Sequence, residues 1–298
     1  MKHISVIFVS LLLCLTSAAQ DWSALGRGAA DLSMAGSAFM SDDNMAWAAD
    51  GNAAMVPFSS RKMSVELGYM LANPVRTNYA GAGFAYNIKD RVGVTAAMSY
   101  GINPAYDVYN ESGRPAGTFS PGQLMLGAGV SWRFVKFMSA GLNLRYAMQT
   151  LAEGVSSSAF AGDFVLMCRF GDFSVSAGAM NFGTPVKSSD GRSFNLSSSV
   201  KLAGMYEHLF AEKHGLQVNL DADWYLSKAA SVALGAQYGW NDMVFVRAGY
   251  RYGSNRSPLP SMASVGLGCK FFGVRIDAAY VVYGSTINTL NVGLGYSF

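Results

Sequence analysis

From about residue 62 to its end, this chain alternates apolar residues with polar or very small ones at a period of two, segment after segment. That periodicity belongs to β-strands with two unlike faces, and the helical period is absent. The final segment shows it: Leu290, Val292, Leu294, Tyr296 and Phe298 fall on one face, and Asn291, Gly293, Gly295 and Ser297 on the other. Residues 216–226 repeat the arrangement, with Leu216, Val218, Leu220, Ala222, Trp224 and Leu226 opposite Gln217, Asn219, Asp221, Asp223 and Tyr225.

The pattern predicts strands over 62–72, 77–88, 91–101, 121–135, 136–149, 156–170, 172–182, 195–208, 213–226, 228–240, 242–253, 260–271, 273–283 and 286–298. These are fourteen segments, and bacterial outer-membrane barrels have even numbers of strands about 10 residues long, with short turns at one end and longer loops at the other. Connections around Lys89-Asp90, Val135-Lys136, Gly171-Asp172, Asn241-Asp242 and Phe272-Gly273 are tight. Loops at 102–120, 183–194 and 254–259 are long and rich in Gly, Ser, Asn and Pro. Two connections depart from the rule, that at 209–212 reading long for its end and that near Ser227 short. A soluble β-sandwich also alternates, but here the strands are long and the polar face carries glycine instead of long solubilising side chains. The expected fold class is therefore all-β, a transmembrane antiparallel β-barrel of about 14 strands with an N-terminal plug segment.

Composition agrees. Hydrophobic residues make up 51% and charged residues 14%, whereas about 25% charged is usual in soluble domains. Residues 1–19 read as a signal peptide: Lys2 precedes an apolar run from Ile4 to Leu15, and Ser17, Ala18 and Ala19 suit cleavage near Ala19. That run is too short to span a bilayer, and no other stretch reaches the ~20 apolar residues of a transmembrane helix. Residues 20–60 break the strand pattern and are expected to fill the barrel mouth as a plug; 61–298 would form the barrel. Cys168 and Cys269 remain after cleavage and read as small apolar side chains, not as a disulfide framework. The nearly balanced charge of the mature chain implies no nucleic-acid partner.

With the greasy face toward outer-membrane lipids, the other face lines the lumen. Arg133, Arg145, Asp163, Arg169, Asp221, Asp223, Arg247, Arg251, Lys270, Arg275 and Asp277 are expected there, with Glu66, Lys201 and Glu207. Mixed signs favour cross-strand ion pairing over a substrate track, although Arg247 and Arg251 on one strand could attract an anion. Tyr69, Tyr100, Trp132, Tyr146, Trp224, Trp240 and Tyr296 suit interfacial girdles. Leu294, Tyr296 and Phe298 read as the C-terminal signal recognised by the barrel-assembly machinery. Nothing points to catalysis: His208 and His214 flank one connection, and neither GxSxG nor HExxH occurs. No cofactor or metal site is expected.

The segment SMAGSAFMSDDNMAWAADGNAAMV (33–56) resembles the N-terminal signature of the PorV/PorQ family and the wider FadL superfamily, with Gly36, Asp42, Asp43, Asn52 and Ala54 matching and Ala53 standing where proline is usual. Segments 161–187, 234–253, 264–284 and 291–298 continue the resemblance, with Gln237 where relatives often carry glutamate. It implies a fourteen-stranded barrel with an N-terminal plug, in the outer membrane of a Gram-negative bacterium. It also implies a non-enzymatic accessory of the type IX secretion system that binds machinery subunits or cargo. The alternative, implied by the FadL-like relatives, is a channel passing a hydrophobic ligand by a plug-gated, sideways-opening route.

Overall fold

The computed structural model describes residues 28–298 except 75, 111, 153, 190, 192, 256, 285 and 286; the expected signal peptide and its cleavage site lie outside the described residues. Each alternating segment forms a strand. In chain order these begin with β1 (Met63–Asn73), β2 (Thr77–Ile88) and β3 (Val92–Ile102). After a small hairpin, β4 (Tyr106–Tyr109) and β5 (Pro115–Phe119), come β6 (Gly122–Val135), β7 (Met138–Ala152), β8 (Val155–Phe170) and β9 (Phe173–Gly183). Two short strands, β10 (Val186–Ser188) and β11 (Ser193–Phe194), precede β12 (Ser199–Phe210) and β13 (His214–Tyr225). The last five are β14 (Ala230–Trp240), β15 (Val244–Gly253), β16 (Met262–Phe271), β17 (Val274–Tyr283) and β18 (Ile287–Ser297).

Fourteen of these close an antiparallel barrel. β1 pairs with β18 from Ser64 opposite Ser297 to Asn73 opposite Asn288. The other neighbours follow sequence order around the ring, with β3 beside β6 and β9 beside β12. Alternation fixes which side faces out. Leu67, Leu144, Leu220, Leu267 and Leu294 are exposed on the outer surface, while Glu66, Arg145, Asp221, Arg251 and Asp277 are buried. A slip of one residue would exchange the faces, and each Arg or Lys moved to the lipid midplane would cost roughly 2–4 kcal/mol.

At one end the turns are tight. Lys89 and Asp90 (φ 53° and 53°), Ala211 and Glu212 (46° and 64°) and Asn241 and Asp242 (57° and 52°) are consecutive left-handed pairs, the backbone of turns whose twist matches that of the flanking strands. The connection read from sequence as long at 209–212 is one of these, because β12 continues to Phe210. The opposite end carries the long connections, and two of them are not plain loops. Residues 102–120 hold the β4–β5 hairpin. Residues 183–194 hold β10 and β11, β10 extending the sheet along β8 through Lys187 and Ser188. The strand expected from 195 starts only at Ser199. Short polar strands lack the alternation that made the barrel strands legible.

Residues 28–59 lie within the ring as a short helix α1 (Ala29–Leu32) and two 3₁₀ segments, Asp42–Asp50 and Ala53–Phe58. Met40, Met45, Met55 and Val56 pack with Val165, Met167, Met180 and Met205 of the wall. The barrel therefore has its core where an open channel would have water.

Candidate functional site

The inner segment is held to the wall chiefly by wall side chains bonding to its main chain. Ser139 Oγ donates to Ala54 O (2.5 Å), and Asn143 Nδ2 to Ala48 O (3.1 Å) and Gly51 O (2.9 Å). Arg251 donates to Ala35 O (3.0 Å) and Gly36 O (2.9 Å), where Gly36 turns the chain at φ 73°. Asn52 Nδ2 closes the segment on itself at Phe39 O (3.1 Å). Asp42 accepts from Ser60 N (3.3 Å) near the tight-turn end.

Asp43 is the hub. Its carboxylate meets Arg61 (2.6 Å), Arg275 (2.7 Å) and Arg247 (3.1 Å). Arg275 also reaches Glu66 (3.0 Å) and Asp277 (2.6 Å), and Arg247 reaches Asp277 (2.6 Å) and Gln237. Burial alone would raise the pKa of Asp43, but the charges of Arg275, Arg61 and Arg247 hold it well below the ordinary carboxylate value.

The remaining lumen charges form two further groups. Lys201 bridges Asp221 (3.3 Å) and Asp223 (3.0 Å), and Arg251 joins Asp223 at 3.2 Å. Arg145 pairs with Asp163 (2.8 Å) and donates to Asn181 Oδ1 (2.5 Å). This last group sits at an interruption of the wall: the β8–β9 register shifts around Asp163, which accepts from Asn181 N at 2.7 Å, and Asn181 adopts φ 60°. Arg133, Arg169 and Lys270 lie apart, toward the tight-turn rim. Arg133 stacks over Phe58 and bonds Lys136 O, Arg169 donates to Phe58 O (3.0 Å), and Lys270 pairs with Asp242 (2.5 Å) in a turn. At the C-terminus, Leu294 and Tyr296 point outward, and Phe298 N donates to Met63 O (3.1 Å), tying the chain end to β1.

Between the inner segment and the long-loop half of the wall lies a cavity with ≈ 560 Å³ of unoccupied space, its open mouth included. Phe39, Trp47, Met180, Tyr225 and Leu259 supply its apolar lining, Asn44, Asn181 and Ser199 its neutral polar lining, and Asp31, Asp50, Arg145, Lys201 and Asp223 its charges. Sequence reasoning singled out neither Trp47 nor Phe39. Both sit in a stretch without strand or helix periodicity, so nothing in the pattern said which way they point.

No family model and no curated protein matches the chain. Solved structures do. The toluene transporter TodX of Pseudomonas putida aligns over 92% of this chain and 99% of its own at a TM-score of 0.65 and 12% identity. The monoaromatic hydrocarbon channel CymD gives 92%, 98%, 0.64 and 12%, and the toluene transporter TbuX of Ralstonia pickettii 91%, 98%, 0.61 and 12%. At such identities the likeness is one of fold: the chain is a closed fourteen-stranded antiparallel barrel with its N-terminal segment inside.

Proposed function

We propose that this chain is an outer-membrane conduit for hydrophobic small molecules in a Gram-negative bacterium, and not an enzyme. The observation that carries the reading is the placement of the cavity. It lies beneath the long loops with Phe39, Met180 and Leu259 in its lining. Beyond it, the tight-turn half of the lumen is filled by the methionine-rich core and closed by the Asp43 ion network. A solute captured from outside would meet aromatic and apolar side chains set beside the charges of Asp31, Asp50, Arg145, Lys201 and Asp223, and then a blocked straight path, an arrangement that suits selective passage better than free diffusion. Likeness of fold to proteins described as toluene transporters and a monoaromatic hydrocarbon channel supports the same choice. For that reason it is preferred to the secretion-accessory role implied by the N-terminal signature.

The test is uptake of the hydrophobic fluorophore 1-N-phenylnaphthylamine by cells carrying the protein in their outer membrane, against cells with an empty vector. Faster uptake is expected, and equal rates would remove the conduit reading.

A further inference from the structure

The cavity beneath the long loops sets charge and ring side by side. Ser199 opens β12 and stands opposite Met180 on one side and Tyr225 on the other, so one hydroxyl lies between two apolar lining residues. Two residues along the same strand, Lys201 stands opposite Asp223. The Lys201 nitrogen is also 5.0 Å from the centroid of the Phe39 ring. From the inner segment, Asn44 of the 3₁₀ stretch Asp42–Asp50 reaches the same lining. Its Oδ1 accepts no hydrogen bond from the described residues, and rotation of the amide about its soft terminal torsion turns that acceptor toward a bound solute.

The charges of this surface are interlocked. Arg145 faces Asp163 at 2.8 Å, Lys201 lies 3.3 and 3.0 Å from Asp221 and Asp223, and Arg251 reaches Asp223 at 3.2 Å. A bare hydrocarbon seated here would strip water from carboxylates and cations and offer no hydrogen bond in exchange, which is unfavourable for every polar group it covers. A net charge on the solute gains little. An anion drawn to Lys201 comes against Asp221 and Asp223, and a cation drawn to Asp223 comes against Lys201 and Arg251. A neutral hydroxyl suits both signs, because one oxygen donates to a carboxylate or amide oxygen and accepts from an ammonium group.

We propose that the cavity takes neutral aromatic alcohols of the phenol class, with the ring against Phe39, Met180, Tyr225 and Leu259 and the hydroxyl among Asn44, Ser199, Lys201 and Asp223. The proposal rests on the conduit reading and narrows it, from hydrophobic solutes at large to rings that carry a hydroxyl.

The experiment compares 2-naphthol with 2-methylnaphthalene, which has a methyl group where the alcohol has its hydroxyl, and with the ions 2-naphthoate and 2-naphthylmethylammonium. Uptake by cells at neutral pH is followed by naphthalene fluorescence, each rate taken above that of the empty vector, with phenylnaphthylamine run alongside. The native chain is expected to pass 2-naphthol roughly tenfold faster than 2-methylnaphthalene, the order of one neutral hydrogen bond, and faster than either ion. Asn44→Leu and Ser199→Ala, shown to be folded barrels by their unboiled gel mobility, should each lower the ratio of 2-naphthol to 2-methylnaphthalene uptake. If the native chain passes the alcohol no faster than the methyl analogue while phenylnaphthylamine outpaces the vector, the alcohol site is overturned and the conduit stands. Faster entry of either ion, or a ratio that both variants leave at its native value, overturns it as well. Vector rates for phenylnaphthylamine and for all four naphthalenes remove site and conduit together. Should one variant fail to fold, the other decides by the same outcomes.

Discussion

At the scale of single residues, the charges inside this barrel differ widely in what they hold. The side chains of Arg247 and Arg275 are 0% and 6% exposed and share Asp43, so Asp43→Asn leaves two buried guanidinium groups short of a partner. Breaking a buried pair in this way costs about 3–5 kcal/mol, and the expected result is a marked fall in the temperature at which the unboiled gel form converts to the boiled one. Lys270 and Asp242 make an equally short pair at the rim, but the Asp242 side chain is 70% exposed. Lys270→Ala should shift that temperature little, in line with the ~0.2–1 kcal/mol of exposed pairs. Acid distinguishes Asp43 further. Its folded pKa is depressed, so its contribution is present above the unfolded value of 3.8 and is lost as pH falls through the lower folded value. The gap between the native chain and Asp43→Asn should therefore be constant at neutral pH and close only in strong acid, read as conversion temperature against pH.

At the scale of elements, the glycines of the strands record where the inner segment touches the wall. A Cβ at Gly83 would lie 2.5 Å from Ala46 O, one at Gly141 2.4 Å from Ala54 N, and one at Gly249 2.3 Å from the Met34 carbonyl carbon. Backbone lies against backbone at all three, and neither partner can yield as a flexible side chain does. Gly83→Ala and Gly141→Ala are expected to lower the conversion temperature, since overpacking of this kind costs about 1–3 kcal/mol. Gly204→Ala on the outer face, where nothing lies within 4 Å, should leave it unchanged. The sequence made the strands legible because alternation is imposed on every one of them, and β17 and β18 appear nearly as read. It showed a lumen face thick with glycine without showing why, since the reason is a second piece of chain that has no periodicity of its own. The same blindness hid Trp47 and the β4–β5 hairpin. Charged residues such as Arg145 and Asp163 could be placed on a face, but the interrupted register that brings Asn181 to them lies in the geometry of β8 and β9 alone.

At the scale of the whole molecule, the inner segment and the barrel divide the charge unequally. Residues 28–59 contain Asp31, Asp42, Asp43 and Asp50 and neither lysine nor arginine. The wall facing them supplies Arg145, Lys201, Arg247, Arg251 and Arg275, with Arg61, Arg133 and Arg169 toward the tight-turn rim. The acids of the wall, Glu66, Asp163, Asp221, Asp223 and Asp277, do not outnumber them. Segment and barrel are thus electrostatic complements, and removing the first should uncover a basic, water-filled lumen. Its cations would be hydrated there instead of buried without partners, so the barrel has no large desolvation penalty to bear. Ring closure through β1 and β18 uses none of the deleted residues. In a planar bilayer the whole chain is expected to show little ion conductance, because its lumen is filled. A variant lacking residues 28–59 should conduct and should prefer chloride over potassium, since rings of Arg and Lys select for anions. Reversal potentials under a salt gradient read that preference directly. A folded but silent deletion variant would mean that the wall collapses inward without its segment, and a cation preference would mean that the wall's acids, not its arginines, set the field along the lumen.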